Sequence, residues 1–346
     1  MTNQPIWLND DEVGELVSLN AAIEALRFQL PREGRQGARN LNKMLATWQP
    51  GSSMHNLGSV DPDQGVGGIK SWVHTPKGAR AVYVLFDTNA GRILAMMDAG
   101  ALGALRTAGI SGLATALMAA PDADSLSIIG TGKQALAQVA AVSTVRPLRQ
   151  IHVYSRTEVN KLAFCNRLQQ AFDAEVIAEP HLESAVRAAP ILTVITRATE
   201  PFIGGDMLDA GTHVNAVGAI LPASAELMPD VLDRMDRIVV DNVANARLGS
   251  AELRRHLGDD DAAWNALTTI GVLIGTGGFK WQPGQITCFK SMGMGLSDLA
   301  IAVAAHQRAL KTGVGRPLGT GQAHRMKWQA LTAESVDDAK VGERIA

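Results

Sequence analysis

Ser125-Leu-Ser-Ile-Ile-Gly130-Thr131-Gly132-Lys-Gln134-Ala135 has the pattern of a strand, a tight turn and a helix. Gly130 permits the turn, and Gly132 lets backbone come close to a pyrophosphate. The small Ala135 lets the helix pack against the strand it follows. Leu136, Val139 and Ala140 then fall on one side of that helix. Its free N-terminal N–H groups and positive dipole end would receive phosphate. The chemistry predicted is dinucleotide binding, against the blander alternative of a plain turn. Lys133 is followed by Gln134, so the segment is not a Walker-type phosphate loop.

The next strand ends Val153-Tyr154-Ser155-Arg156-Thr157, about 25 residues after Gly130. An acid in this region accepts from a ribose 2′-hydroxyl, whereas an arginine accommodates a 2′-phosphate. Ser155 and Arg156 therefore favour NADP(H), with NAD(H) kept as the alternative. Other chemistries lack their residues. The eight histidines contain no His-x-x-x-His or His-Glu-x-x-His pair, so no metal is expected. No Gly-x-Ser-x-Gly elbow is present. Cys165 and Cys288 stand far apart and suggest neither a disulfide framework nor a cysteine zinc site.

These motifs need a scaffold, and its rhythm changes at Pro121. Before it, a helical stretch at 21–30 stops at Pro31, and a Gly/Asn/Ser-rich region runs from 35 to 68. The runs 81–86 and 92–97 flank an Asx/Gly turn and predict an antiparallel hairpin. Leu105, Ile110, Leu113 and Leu117 fall near helical spacing. After Pro121, β-branched runs at 125–129, 151–154, 191–195, 213–217 and 237–240 alternate with helical stretches such as 134–145 and 158–172. That alternation predicts βαβ units and a parallel sheet. Glycine-rich loops precede 286–289, and a last helix over 296–310 leads into a polar tail. The fold class expected is α/β. A Rossmann-type domain spans 121–299, and a smaller α+β domain comprises 1–120 and 300–346.

Composition sets the broad class. Of 346 residues, 46% are apolar and 19% charged, enough apolar residue to build sizeable cores. Glycine, at 34 residues, exceeds the usual share of about 7% but clusters at strand ends. The net charge of −2, without a Lys/Arg-rich run, argues against a nucleic-acid partner. The longest mostly apolar stretch, taken as 112–120, is short of the roughly 20 residues that cross a bilayer. No basic n-region followed by an apolar run opens the sequence, and a cytoplasmic location is expected.

Four blocks in order give the chain a resemblance to the ornithine cyclodeaminase/μ-crystallin family, running from about Arg39 to Asp298. They are Asp98-Ala-Gly-Ala-Leu-Gly-Ala-Leu-Arg106-Thr107-Ala, the Gly130 turn, Gly211-Thr-His-Val-Asn215-Ala216-Val217-Gly218-Ala, and Phe289-Lys-Ser291-Met292-Gly293. The resemblance implies a homodimer whose first domain binds substrate and dimerises. The final helix would return to that domain. By motif position Arg106 and Lys70 would hold a substrate carboxylate, with Arg39 a third member, Arg35 its rival and Met292 nearby. Thr107, Thr196, Ala216, Val217, Gly218 and Ser291 would join the cofactor set of Gly130, Thr131, Gly132, Gln134, Ala135, Ser155, Arg156 and Thr157. A guanidinium suits a bidentate grip on a small α-imino or α-amino acid.

The chain departs from the pattern at Ile220, where the cyclodeaminases carry an acid, and at Ser224, where they carry a lysine. An isoleucine can neither take a proton nor orient an ammonium. The resemblance then implies NAD(P)H-dependent reduction of a small imino acid, of the Δ1-pyrroline-2-carboxylate or Δ1-piperideine-2-carboxylate type, to the L-amino acid. Alternatives are an amino-acid dehydrogenase using a keto acid plus ammonia or an amine, a cyclodeaminase with another acid, and a μ-crystallin-like ligand-binding protein. Of the remaining candidates, Asp98 is expected to cap the Arg106 helix and Asp298 the last helix, with a catalytic role as the latter's alternative. His74 is expected on a surface loop, and His213 as a structural donor. The methionines as a group suggest gap-filling core.

Overall fold

The computed structural model describes residues 4–33 and 37–319. Two eight-stranded sheets share no strand. In the first, Ser52–Asp61, Val66–Thr75, Gly78–Asp87 and Arg92–Asp98 form an antiparallel meander. Met44–Gln49 and Arg39–Asn40 pair with Ser52–Asp61, while Ile6–Leu8 joins Arg92–Asp98 in parallel. The predicted hairpin is present, its turn closed by Gly91 N–H donating to Asp87 O at 3.0 Å. The described part of the region 35–68, in contrast, holds strands Arg39–Asn40, Met44–Gln49 and Ser52–Asp61 and the start of Val66–Thr75. Asp61, fully buried at its end, accepts from Arg32, Gln29 and Gln64. Burial opposes its ionisation, but those hydrogen bonds outweigh it and hold the carboxyl at about 2.

The second sheet is parallel throughout. Its order is Glu175–Ala178, Gln150–Tyr154, Ser125–Ile129, Ile191–Val194, His213–Ala216, Thr287–Lys290, Arg237–Val240, Thr268–Thr269. Ser125–Ile129, Ile191–Val194, His213–Ala216 and Thr287–Lys290 are buried along their whole length, as helices on both faces require. The α/β class is therefore as expected. Glu175–Ala178 is an added edge strand whose polar first residue hid it.

Helix Gly100–Met118 packs against helices Leu19–Gln29, Ala135–Val145 and Gly295–Thr312. Its 19 residues are long and apolar enough to span a bilayer, a longer stretch than the sequence suggested. More than half of it (56%) is buried inside the protein, and it serves as a core helix. Helix Gly295–Thr312 follows the last long strand of the parallel sheet yet lies on the first sheet, where Leu296 N–H donates to Asn40 Oδ1 at 2.9 Å. The predicted polar tail from 320 lies outside the described residues.

Two expected caps are not formed. Ala99 is the N-cap residue of helix Gly100–Met118, and Asp10 rather than Asp98 accepts from its first turn, through Ala101 N–H at 2.7 Å. Met294 is the N-cap residue of the last helix, which leaves the Asp298 carboxylate for other work.

Candidate active site

The site has two halves, both at the carboxyl edge of the parallel sheet. The sheet reverses its order between Ser125–Ile129 and Ile191–Val194, and ligands bind open α/β sheets at such a switch point. Here a cavity of about 670 Å³ is lined by Gly130, Thr131, Gly132, Lys133, Ser155, Arg156, Thr157 and Thr196, with Leu182 and Phe202 at its apolar side. Gly130 has φ +110°, and a Cβ there would stand 2.5 Å from Ile195 O, so only glycine makes this turn. A Cβ on Gly132 would meet nothing within 4 Å, leaving its backbone open to a ligand. Gln134 precedes helix Ala135–Val145, and its buried Oε1 has no hydrogen-bond partner. Ala135 is fully buried. An open backbone turn, a helix N-terminus and an unpartnered amide oxygen fit a dinucleotide.

The second half is a buried ion cluster. Lys70, on Val66–Thr75, donates through Nζ to Asp298 Oδ1 at 2.6 Å, and Arg106 Nε lies 3.4 Å from the same oxygen. Asp298 is fully buried, one turn into the last helix, and its Oδ2 has no hydrogen-bond partner. Burial lowers the Lys70 ammonium to about 8, repulsion from Arg106 adds to this, and Asp298 opposes it. Lys70 Nζ also lies 5.2 Å from the centroid of Trp72, whose ring stacks on His55 at 4.6 Å. Tyr83, opposite Lys70 in the strand register, is fully buried with an unpartnered hydroxyl, and burial raises its pKa well above the phenol range.

Lys43 is a cation the sequence reading missed. Burial and then repulsion from Arg106 lower its pKa, while Asp241 opposes the shift. Asp241, itself buried, accepts from Ser291 Oγ at 3.0 Å, Met292 N–H at 2.8 Å and Gly293 N–H at 2.6 Å. It fixes the loop after Thr287–Lys290, where Gly293 has φ +81° and a Cβ would lie 3.0 Å from Arg106 Nη1. Burial raises the Asp241 carboxyl against the pull of these donors and of Arg106. Three cations thus gather around Asp298 and Asp241, with Glu33 within electrostatic reach of Asp241, and a guanidinium and two ammonium groups so placed suit a small anion.

Several expected residues are engaged within the protein or stand apart from the cation cluster. Arg39 is exposed, with Nε donating to Gly37 O at 3.3 Å, and no ion pair ties it to the cluster among the described residues. Its rival Arg35 lies outside the described residues. Met292 packs its side chain in the core around Trp264 and Leu253. Ser291 spends its hydroxyl on Asp241, and Thr107 returns its own to Gly103 O at 2.7 Å. Ala216 O accepts Ser291 N–H, and Val217 N–H goes to Val194 O. Thr196 and Gly218 donate to Glu226. His213 is a buried structural partner of Thr287 and Asn215, while His74 is exposed on a strand end rather than in a loop. Ile220 is exposed in the loop after His213–Ala216. No group of three His, Cys, Asp or Glu placed to hold a metal occurs among the described residues.

Residues 73–313 match the model of the ornithine cyclodeaminase/mu-crystallin family. A Delta(1)-pyrroline-2-carboxylate reductase of Bacillus cereus is 32% identical over 244 residues, covering 70% of this chain and 75% of its own. Ketimine reductase mu-crystallin of Mus musculus is 32% identical over 223 residues, covering 64% of this chain and 67% of its own. An archaeal alanine dehydrogenase dimer with bound NAD superposes with a TM-score of 0.84 at 25% identity, covering 91% of this chain and 99% of that one.

Proposed function

The chain belongs to the ornithine cyclodeaminase/mu-crystallin family, and we propose that it reduces the C=N bond of a small imino acid with a nicotinamide dinucleotide. The observation that carries this reading is the meeting of Lys70 and Arg106 on Asp298, beside the loop that Asp241 holds at the sheet's carboxyl edge. The relatives that act on pyrroline-2-carboxylate and on ketimines support the same substrate class.

The turn that Gly130 makes, the open backbone of Gly132 and the N–H groups at the start of helix Ala135–Val145 would hold the pyrophosphate, while the Gln134 Oε1 acceptor would suit a hydroxyl of the dinucleotide. When bound, the reduced dinucleotide supplies a hydride equivalent to the carbon of C=N. The chain's own residues do the rest. Arg106 and Lys70 pair with the substrate carboxylate, and Lys43 adds a third positive charge. Asp298 keeps the two cations at a fixed separation, which limits the poses open to a small acid. A cyclic imine carries its proton on nitrogen before it reacts, so Ile220 need supply none. Without an acid at 220, nothing there orients the amino group of a diamino acid, which disfavours cyclodeamination.

The finer assignment is NADP(H). Arg156 is exposed in the cavity beside Ser155, Lys133 lines the same rim, and no acid ends Gln150–Tyr154. A 2′-phosphate would meet cations there. A homodimer is the assembly we favour. Met44, Leu45, Trp48 and Met54 are about half exposed on Met44–Gln49 and its neighbour, an apolar sheet edge suited to a second copy.

The test is oxidation of NADPH by Δ1-pyrroline-2-carboxylate and Δ1-piperideine-2-carboxylate, set against pyruvate with ammonia. Faster turnover of the preformed cyclic imines is expected. A preference for pyruvate with ammonia would support the second reading, an amino-acid dehydrogenase, which the likeness to alanine dehydrogenase favours. Binding of NADPH without turnover of any substrate would leave a ligand-binding protein.

A further inference from the structure

Glu226 is fully buried in the parallel-sheet half, yet it carries a carboxylate. Oε1 accepts Thr196 N–H at 2.6 Å and Thr196 Oγ1–H at 2.8 Å. Oε2 accepts Gly218 N–H and Ala219 N–H, both at 3.0 Å. A Cβ on Gly218 would overlap Oε1 and the Thr196 backbone, so glycine is required there by the closeness of this carboxylate. The Glu226 carbonyl accepts Phe202 N–H and Ile203 N–H, each at 3.0 Å. One residue therefore ties down both ends of the 196–203 segment and the loop after His213–Ala216. Thr196 and Phe202 line the cavity.

Glu226 is in turn anchored from below. Its own N–H and that of Leu227 donate to Glu252 Oε1 at 2.7 and 3.1 Å, and Glu252 Oε2 pairs with Lys290 Nζ at 2.5 Å. Both partners are buried, and Lys290 directly precedes the Ser291–Gly293 loop that faces Arg106. A buried carboxylate is costly unless its oxygens are fully hydrogen-bonded, and each Glu226 oxygen here receives two donors. That arrangement ties both loops of the cavity rim to one side chain, and a rim already tied in this way would need less ordering by a ligand.

We propose that Glu226 is a positioning residue for the dinucleotide, which it serves by pre-forming the two loops around the cavity without touching the ligand. The proposal rests on the dinucleotide reading of the cavity. In Glu226→Gln the amide nitrogen of the new side chain must face backbone N–H groups or Thr196, donor against donor. The dissociation constant of NADPH alone, followed by its fluorescence, is expected to rise about tenfold. The KM for the imino acid should stay within about twofold, because Lys70, Arg106 and Asp298 are untouched. Glu226→Asp, which keeps the carboxylate on a shorter arm, should recover part of the affinity.

Unchanged NADPH affinity in folded Glu226→Gln overturns the proposal, as does an equal rise in both constants. Should that variant not fold, hydrogen exchange in the wild-type protein decides: slow exchange at Thr196, Gly218 and Ala219 before any ligand is added supports pre-formed loops, and exchange at solvent rates overturns them. Wild-type protein that binds neither NADPH nor NADH fails at the functional reading instead, a result distinct from these.

Discussion

Lys70 and Asp298 stand 228 positions apart in the chain and 2.6 Å apart in space. The strand that carries one belongs to the first sheet, and the helix that carries the other follows the second. Asp298→Asn leaves Lys70 and Arg106 without their shared anion. Breaking a buried pair on one side costs roughly 3 kcal/mol. Urea denaturation should show a loss of that order, and kcat/KM for the imino acid should fall about a hundredfold as the cations lose their fixed spacing.

The Lys70 ammonium, lowered to about 8, gives the reaction a pH limb. Below that value it is charged and would grip the carboxylate of the proposed substrate; above it the charge is lost. kcat/KM should decline as pH rises through about 8, and Lys70→Met should remove this limb along with most of the activity. Stability runs the other way. Between about 8 and the ordinary lysine range of about 10.4, the unfolded chain binds more protons than the folded one, so folding becomes more favourable as pH rises across that window.

Arg106→Ala should raise the imino-acid KM by about two orders of magnitude while NADPH binding stays unchanged, since Arg106 lies in the ion cluster and outside the lining of the dinucleotide cavity. Steady-state kinetics alongside fluorescence titration separate the two effects. Equal losses in both would place Arg106 in a merely structural role.

Arg156→Ala tests the dinucleotide preference. Removing one exposed cation from a 2′-phosphate should cost about 1 kcal/mol, a several-fold rise in the KM for NADPH, with that for NADH unaffected. High salt should shrink the difference.

Trp48→Asp places a charge on the exposed apolar strand Met44–Gln49. Sedimentation should show the proposed dimer in the unaltered protein and monomer in the variant, with little change in circular dichroism. A dimer that persists would locate the contact elsewhere.

The nucleotide half was legible because its signals are local. Gly130 and Ala135 sit within one turn of each other, and the strands around them are short, buried and β-branched. The substrate half was legible only in part. Motif position pointed to Arg106 and Lys70, which the structure brings together on Asp298, but Lys43 and Asp298 join them through tertiary packing that no spacing encodes. Asp298 looked like a helix cap because it opens a helix in sequence; its burial against Lys70 is visible only in three dimensions. Met44–Gln49 escaped because all six residues are exposed, so no alternation marks a buried face. Arg39 was placed by order along the chain, and the exposed edge strand that carries it turns it from the cluster.

The return of Gly295–Thr312 to the first sheet also orders events in time. On a ribosome, the meander is made before its covering helix and lacks Asp298 until 228 further positions beyond Lys70 have been joined. The phosphate turn and its flanking strands have already emerged by then. The two cations therefore acquire the Asp298 counter-charge only after both have long been made, and until then Lys70 and Arg106 remain without it.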